Sequence, residues 1–257
     1  MANGRGGRHH RLARDALEVR QGVMAIRAAR DAVHRFGWRD GALYLLDRAL
    51  DRFTGGRARL VKYAVVAQPV PEKPLLGASR SELDVRAVSA DDPIVRSFPR
   101  PPEVIAWRFR GGGLCFVACR GEQFVGFLWL HEQPYEEDEV RCIFVPQPQH
   151  AAVWDYDVYV EPEFRLGRAF VRLWDAAYEH LRLRGARWTM SRISSFNSAS
   201  LASHARLGAR KLASATFLCL GCVQLSWFSM LPWVHLSFSH AQRPRLVVRA
   251  PGSDLLT

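Results

Sequence analysis

The chain has 257 residues and a mass of 29.1 kDa, enough for one large domain, or for one ordinary domain with an extension, and either can bury a full core. A formal charge of +11 and a pI near 10.1 favour anionic partners such as nucleotides, phosphorylated cofactors, nucleic acid or acidic membrane; the plain alternative is a surface that only keeps the protein soluble. Five dispersed cysteines, an odd number in apolar segments, do not look like a disulfide framework and suit a reducing cytoplasm.

Arg5, Arg8, Arg11 and Arg14 are followed by no uninterrupted apolar core, so no secretory signal is expected. Leu12, Ala16, Val19, Val23, Ile26, Val33 and Phe36 recur at spacings near three and four, which predicts an amphipathic helix broken near Gly37. A second helix is predicted from Asp40 to Phe53 on the stripe Leu43, Leu46, Ala49 and Leu50, stopping at Gly55-Gly56. Leu60 to Val70, rich in Val, reads as a strand, and Pro71 and Pro74 read as a linker. Residues 1–80 are thus an extension of two helices and a strand ahead of a domain at 81–257.

Leu83 to Val88 is a predicted strand, and Pro102 to Phe109 a short helix with proline in its first turn. Leu114–Cys119 and Gln123–Leu130 flank Arg120-Gly121-Glu122 as a hairpin. The acidic run Glu136-Glu137-Asp138-Glu139 is expected to be a solvated loop. From Trp154 to Val160 a strand alternates, with Trp154, Tyr156, Val158 and Val160 on one face and Asp155, Asp157, Tyr159 and Glu161 on the other. Phe170, Leu173, Trp174, Ala177, Tyr178 and Leu181 mark a helix ending near Gly185, and Arg187 to Ile193 a further strand. Strand, helix and strand in that order favour a parallel pair, and the whole chain reads as α/β with a mixed (α+β) sheet.

No residue from Leu212 to Gln242 is formally charged, long enough to span a bilayer. Yet Val223, Leu225 and Trp227 alternate with Gln224 and Ser226, and Val234, Leu236 and Phe238 with His235, Ser237 and Ser239. Period two means half-buried strands, and Pro232 would break a spanning helix, so no transmembrane span is expected, although the exposed aromatics leave peripheral membrane contact open. Cys219 and Cys222 have CxxC spacing without a second pair or a His at ligand spacing, so no metal site is expected.

A tight turn opening directly into a helix presents backbone N–H groups at the positive end of the helix dipole and can receive a pyrophosphate. The turn Glu161-Pro162-Glu163-Phe164-Arg165-Leu166-Gly167-Arg168-Ala169 is of this kind: Gly167 and Ala169 let a ligand approach, and Arg165 and Arg168 add charge. Asn197-Ser198-Ala199-Ser200-Leu201-Ala202-Ser203-His204-Ala205-Arg206-Leu207-Gly208 follows the next strand. In a helix, Asn197, Ser200 and His204 fall near one stripe, although Asn197 and Ser200 also suit a helix cap.

In this order the pieces resemble the acyl-CoA-binding half of the GNAT N-acetyltransferase superfamily, detectably from Leu83 to Leu236 and specifically from Trp154 to Gly208. The resemblance implies a GNAT-like acyltransferase fold in which an acyl-CoA, acetyl-CoA foremost, donates its acyl group directly to an amine-bearing acceptor. It implies that Arg165, Leu166, Gly167, Arg168 and Ala169 cradle the pyrophosphate and that the backbone of Val158, Tyr159 and Val160 holds pantetheine and polarises the thioester. It further implies that Asn197, with Ser200, orients the site, and that His204 stands where a tyrosine usually protonates the departing thiolate. A neutral amine needs a route for its proton, for which Asp155 and Asp157 are candidates beside the plain reading of a polar sheet face. Two rivals stand: a noncatalytic module of the same fold and, less favoured because no recognised motif accompanies the charge, a nucleic-acid-binding protein. The extension is free to cover the acceptor site, form a homodimer or dock a partner.

Overall fold

The computed structural model describes residues 6–76, 82–165 and 167–252, with side chains from Arg27 onward except Ala28. Leu166, one of the expected pyrophosphate residues, lies outside the described residues. The first helix, α1 (Gly6–Thr54), is broken at Gly37, whose φ of 79° and ψ of 167° are not helical. Glycine takes this conformation without a side-chain clash. Beyond the break the two limbs touch, since a Cβ on Gly41 would stand 2.9 Å from the Cα of Val33. The second limb ends at Gly55 and Gly56, both with positive φ.

In chain order there follow β1 (Ala58–Pro69), β2 (Asp84–Val88), α2 (Pro102–Arg110), β3 (Leu114–Arg120), β4 (Gln123–His131), β5 (Tyr135–Glu136), β6 (Ile143–Gln147), β7 (Ala152–Val160) and α3 (Ala169–Leu183). The chain continues with β8 (Trp188–Ser194), α4 (Ser198–Arg206), β9 (Arg210–Leu220), β10 (Val223–Phe228), β11 (Val234–Ser237) and β12 (Arg245–Arg249). Among the described residues these make a nine-stranded sheet in the order β11-β10-β9-β1-β8-β7-β4-β3-β2, and a small sheet in the order β12-β6-β5. The strand of the extension is therefore not peripheral. From Ala58 to Ala67 β1 pairs antiparallel with β9, and from Tyr63 to Pro69 also with β8, so it sits at the middle of the large sheet.

Helices α1, α3 and α4 cover one face of the large sheet, the helical face. Here Leu128, Leu130, Val153 and Val160 pack on Leu173, Trp174, Ala177 and Tyr178 of α3, while Ala64 and Val66 meet Leu201 of α4. Lys62 pairs with Asp40 of α1. The other face is covered by α2 and the small sheet, where Tyr63, Phe127, Trp129, Trp154 and Met190 pack with Ile105, Phe144 and Leu246. A bulge interrupts the β4–β7 ladder: Trp129 faces Asp157, but the next residue, Leu130, faces Asp155. One extra residue reverses the alternation beyond it. Asp155 and Asp157 therefore do not share a face, as uninterrupted alternation predicts, but lie on opposite faces of the sheet.

Half-burial of the β9–β11 region is as predicted, but with inverted polarity. Gln224, Ser226 and Ser237 are buried, while Leu225, Val234 and Leu236 are exposed.

Candidate active site

Strands β7 and β8 run parallel and pair only at Ala152–Trp188, Val153–Thr189 and Trp154–Met190. Beyond these three pairs they part, and a wedge opens between Asp155–Val160 and Ser191–Ser194. Which backbone groups face the wedge follows from two neighbours: Glu161 N–H donates to Val125 O of β4 at 2.9 Å, whereas Arg165 Nε donates to Val160 O and Arg192 Nη1 to Tyr156 O. Odd residues of this stretch thus point to β4 and even ones to the wedge, so Val158 presents its N–H and C=O between two arginine-capped carbonyls. Of the three residues expected to bind pantetheine, Val158 and Val160 turn their backbone to the wedge; Tyr159 turns its own to Phe127.

The wedge opens toward the turn at the head of α3. The N-cap residue Arg168 makes no side-chain cap hydrogen bond, which leaves the first N–H groups of the helix to a ligand. Gly167 N–H donates to Phe164 O at 3.0 Å, and a Cβ on Gly167 would stand 3.3 Å from that oxygen. Arg168 is exposed, and Arg165 is held back by its bond to Val160 O and lies over the Tyr159 ring. These residues fit a phosphorylated ligand with an amide-bearing arm.

On the helical face, at the apex of the wedge, Asp155 is fully enclosed. Burial pushes its carboxyl up to about 7, against the hydroxyls of Ser191 and Thr189, which favour the charged form. The same polar layer contains Tyr178, to which Gln68 Nε2 donates, and His204, whose Nδ1 is 3.1 Å from Gln68 Oε1. Phe170 and Trp174 stand edge-on to the His204 ring. Burial lowers the imidazole to about 4, so at neutral pH it is uncharged with its proton on Nδ1, bonded to Gln68. In that state Nε2 accepts a proton and does not deliver one. Asn197 and Ser200 form the start of α4, Asn197 Oδ1 accepting from Ser200 N–H at 3.0 Å. Asn197 is exposed while His204 is buried, so the three do not converge on one point.

The opposite face holds the second carboxylate. Asp157 is bound by Arg100 at 2.9 and 3.0 Å and by Arg108 at 2.7 Å, and Arg108 lies over Trp129 and Tyr156. Its charge is committed to two guanidinium groups. The acidic run is only in part the expected solvated loop: Glu136, Asp138 and Glu139 are exposed, but Glu137 is buried, gripped by Arg192 at 2.7 and 2.8 Å, and Glu139 accepts from the Tyr63 hydroxyl. Burial raises the Glu137 carboxyl, which Arg192 opposes. Arg192 thus ties the acidic run to the wedge, since it also reaches Tyr156 O. An open cleft of about 380 Å³ is lined here by Trp107, the four acidic residues and Arg243. Trp107 is the aromatic side chain in this lining, whereas Trp129 and Tyr135 are core.

Gln68, Arg192 and Glu137 were not among the expected site residues. Gln68 carried a signal, as an uncharged polar residue inside an apolar strand that must find a buried partner. The other two carried none, because their partners are distant in sequence. All five cysteines are free, Cys115 and Cys142 buried and Cys222 exposed. Among the described residues no cluster of His, Cys, Asp and Glu is placed to hold a metal, and no helix is long and apolar enough to cross a membrane.

Among known protein families, the Acetyltransferase (GNAT) family matches this chain over residues 84–209. No curated protein matches. Among solved structures, a functionally unknown conserved protein from Staphylococcus epidermidis ATCC 12228 is 14% identical with a TM-score of 0.46, the match covering 69% of this chain and 67% of that one. A tandem GNAT protein from the clavulanic acid biosynthesis pathway is 16% identical with a TM-score of 0.46, over 66% of this chain and 57% of its own length. An aminoglycoside N-acetyltransferase in complex with CoA is 18% identical with a TM-score of 0.37, over 52% of this chain and 91% of its own.

Proposed function

Residues 84–209 match the Acetyltransferase (GNAT) family, and from that premise we propose that the chain is an N-acyltransferase that moves an acyl group, acetyl foremost, from acyl-CoA to an amine. The observation that carries this reading is the wedge between β7 and β8, open along Val158 and leading to the uncapped start of α3. The proposed donor site uses the N–H groups of Arg168 and Ala169, the close approach that Gly167 permits, and the Arg168 and Arg165 side chains for the pyrophosphate, and Val158 and Val160 for the pantetheine amides and thioester carbonyl. Asn197 and Ser200 border the arm. The acceptor enters from the cleft beside Trp107 and the acidic run.

In the proposed reaction the amine nitrogen forms a bond to the thioester carbon, the C–S bond breaks, and CoA leaves as thiolate. Asp155, enclosed at the apex of the wedge with a pKa of about 7, takes the ammonium proton through water. Asp157, held by its two arginines, is a fixed negative charge opposite it. His204 in the neutral Nδ1–H form positions the layer around Asp155 and is not the acid that protonates sulfur. The free thiols support a cytoplasmic setting. A second reading, a noncatalytic module of the same fold, is favoured by one observation: the position of the expected acid holds a buried, uncharged imidazole.

Calorimetric titration with acetyl-CoA and, separately, with CoA decides between them. Saturable binding that is lost in a folded Gly167→Trp variant supports the enzyme and leads to a screen of amines. Absence of binding at millimolar ligand gives the noncatalytic module.

A further inference from the structure

Strands β10 and β11 form the end of the large sheet with a polarity opposite to that of an ordinary edge. Toward the interior, Gln224 pairs across the ladder with Ser237, and Ser226 with His235. Gln224 accepts from Arg141 N–H at 2.8 Å and donates to Arg141 O and Ser226 Oγ, so this polar face is consumed by internal bonds. Toward the outside, Leu225 stands opposite Leu236, and Trp227 opposite Val234. Val234 is 61% exposed, and in the flanking connections Leu231 is 71%, Trp233 56% and Phe238 62% exposed. The patch lies on the helical face, where α1 adds exposed Leu46 and Phe53. A sheet edge with hydrogen-bonded polar groups inside and large apolar groups outside is arranged for an apolar medium or partner.

Charge selects the occupant. Lys211, opposite Val66 in the β1–β9 ladder, and Arg206 of α4 are exposed on the same helical face, whereas Arg243 is paired with Glu136 on the other. A symmetric contact with a second copy would set these cations against one another. Anionic headgroups complement them, and Trp, Phe and Leu side chains projecting from strand ends suit the soft boundary between headgroup and acyl chain. We propose that the β10–β11 face docks on an anionic lipid surface, with Leu231, Trp233, Leu236 and Phe238 entering the interface. The inference does not depend on acyl transfer.

Co-sedimentation of the full chain with phosphatidylcholine vesicles, with and without phosphatidylserine, tests it beside the variant Leu236→Ser/Phe238→Ser. Both changed side chains are exposed, so the variant is expected to keep the melting temperature of the parent. The expected result is binding to the phosphatidylserine vesicles, with the variant weakened by about tenfold or more. No binding, or equal binding by parent and variant, overturns the proposal. A concentration-dependent dimer that the variant dissolves, without vesicle binding, also overturns it and assigns the face to a second copy.

Discussion

Nδ1 of His204 stands 3.1 Å from Oε1 of Gln68, so the position of the expected acid is satisfied by a residue of the strand that precedes the family segment. Gln68 in turn donates to the hydroxyl of Tyr178. Gln68→Leu removes both bonds and leaves two buried polar groups unmatched, at roughly 1–3 kcal/mol each. Urea denaturation is expected to show a loss of about 2–6 kcal/mol for the two together, and Gln68→Glu an additional loss at neutral pH from a buried charge.

Asp155 and His204 predict a compensated pH dependence. Burial raises Asp155 from 3.8 to about 7, so alone it stabilises the folded state at low pH and loses that stabilisation as pH rises to about 7. Burial lowers His204 from 6.5 to about 4, so alone it stabilises above pH 6.5 and loses that stabilisation as pH falls to about 4. Between these limits the folded chain carries one proton, on Asp155, and the unfolded chain one, on His204. Their contributions cancel. Asp155→Asn is expected to make stability rise with pH by up to about 1.4 kcal/mol per unit across this window, and His204→Gln to make it fall by a similar amount. Parallel slopes in the two variants would contradict the assignment.

The parity of β7 predicts opposite behaviour of two neighbouring prolines. Val158→Pro removes an N–H that faces the wedge, and Tyr159→Pro one that faces β4. The first variant is expected to melt near the parent and to lose CoA affinity by about tenfold or more; the second is expected to lose about 3 kcal/mol or more of stability. Thermal melts and calorimetry with CoA measure both.

Removing one partner of the buried Arg192–Glu137 pair should cost roughly 3–5 kcal/mol, since the other charge stays buried. Arg192→Met is expected to reach that range, while the double variant Arg192→Met/Glu137→Gln recovers a large part of it. Denaturation of the two singles and the double gives the coupling energy directly.

A fragment limited to residues 82–252 lacks β1 and leaves the facing edges of β8 and β9 unpaired inside the sheet. It is expected to show no cooperative melt by circular dichroism. A sharp transition near that of the full chain would show that the extension is dispensable.

Local signals made much of the molecule readable. Gly37 and Gly55-Gly56 punctuate α1, Gly121 turns the β3–β4 hairpin, and strand, helix and strand at β7, α3 and β8 appear where the apolar spacing puts them. The turn and the wedge strand were legible for the same reason. Three things were not. The bulge at Tyr156 shifts the register by one residue and sends Asp155 and Asp157 to opposite faces, although their spacing in sequence says otherwise. Placement of β1 between β8 and β9 rests on pairing with strands far along the chain, which periodicity does not encode. Glu137 is buried only because Arg192 meets it, and a run of acids looks the same in solution and in a core.

The position of β1 also sets a timetable for synthesis. Ala64 and Val66 are buried on the helical face of the finished sheet, yet the strands that flank them, β8 and β9, leave the ribosome last among the central strands. At ordinary elongation rates the apolar strand waits on the order of ten seconds with both edges open. The second limb of α1, whose Asp47 accepts from Leu60 N–H in the folded protein, is made before β1 and needs no later strand to reach that face. The helical extension is thus placed to cover β1 while its partner strands are still missing.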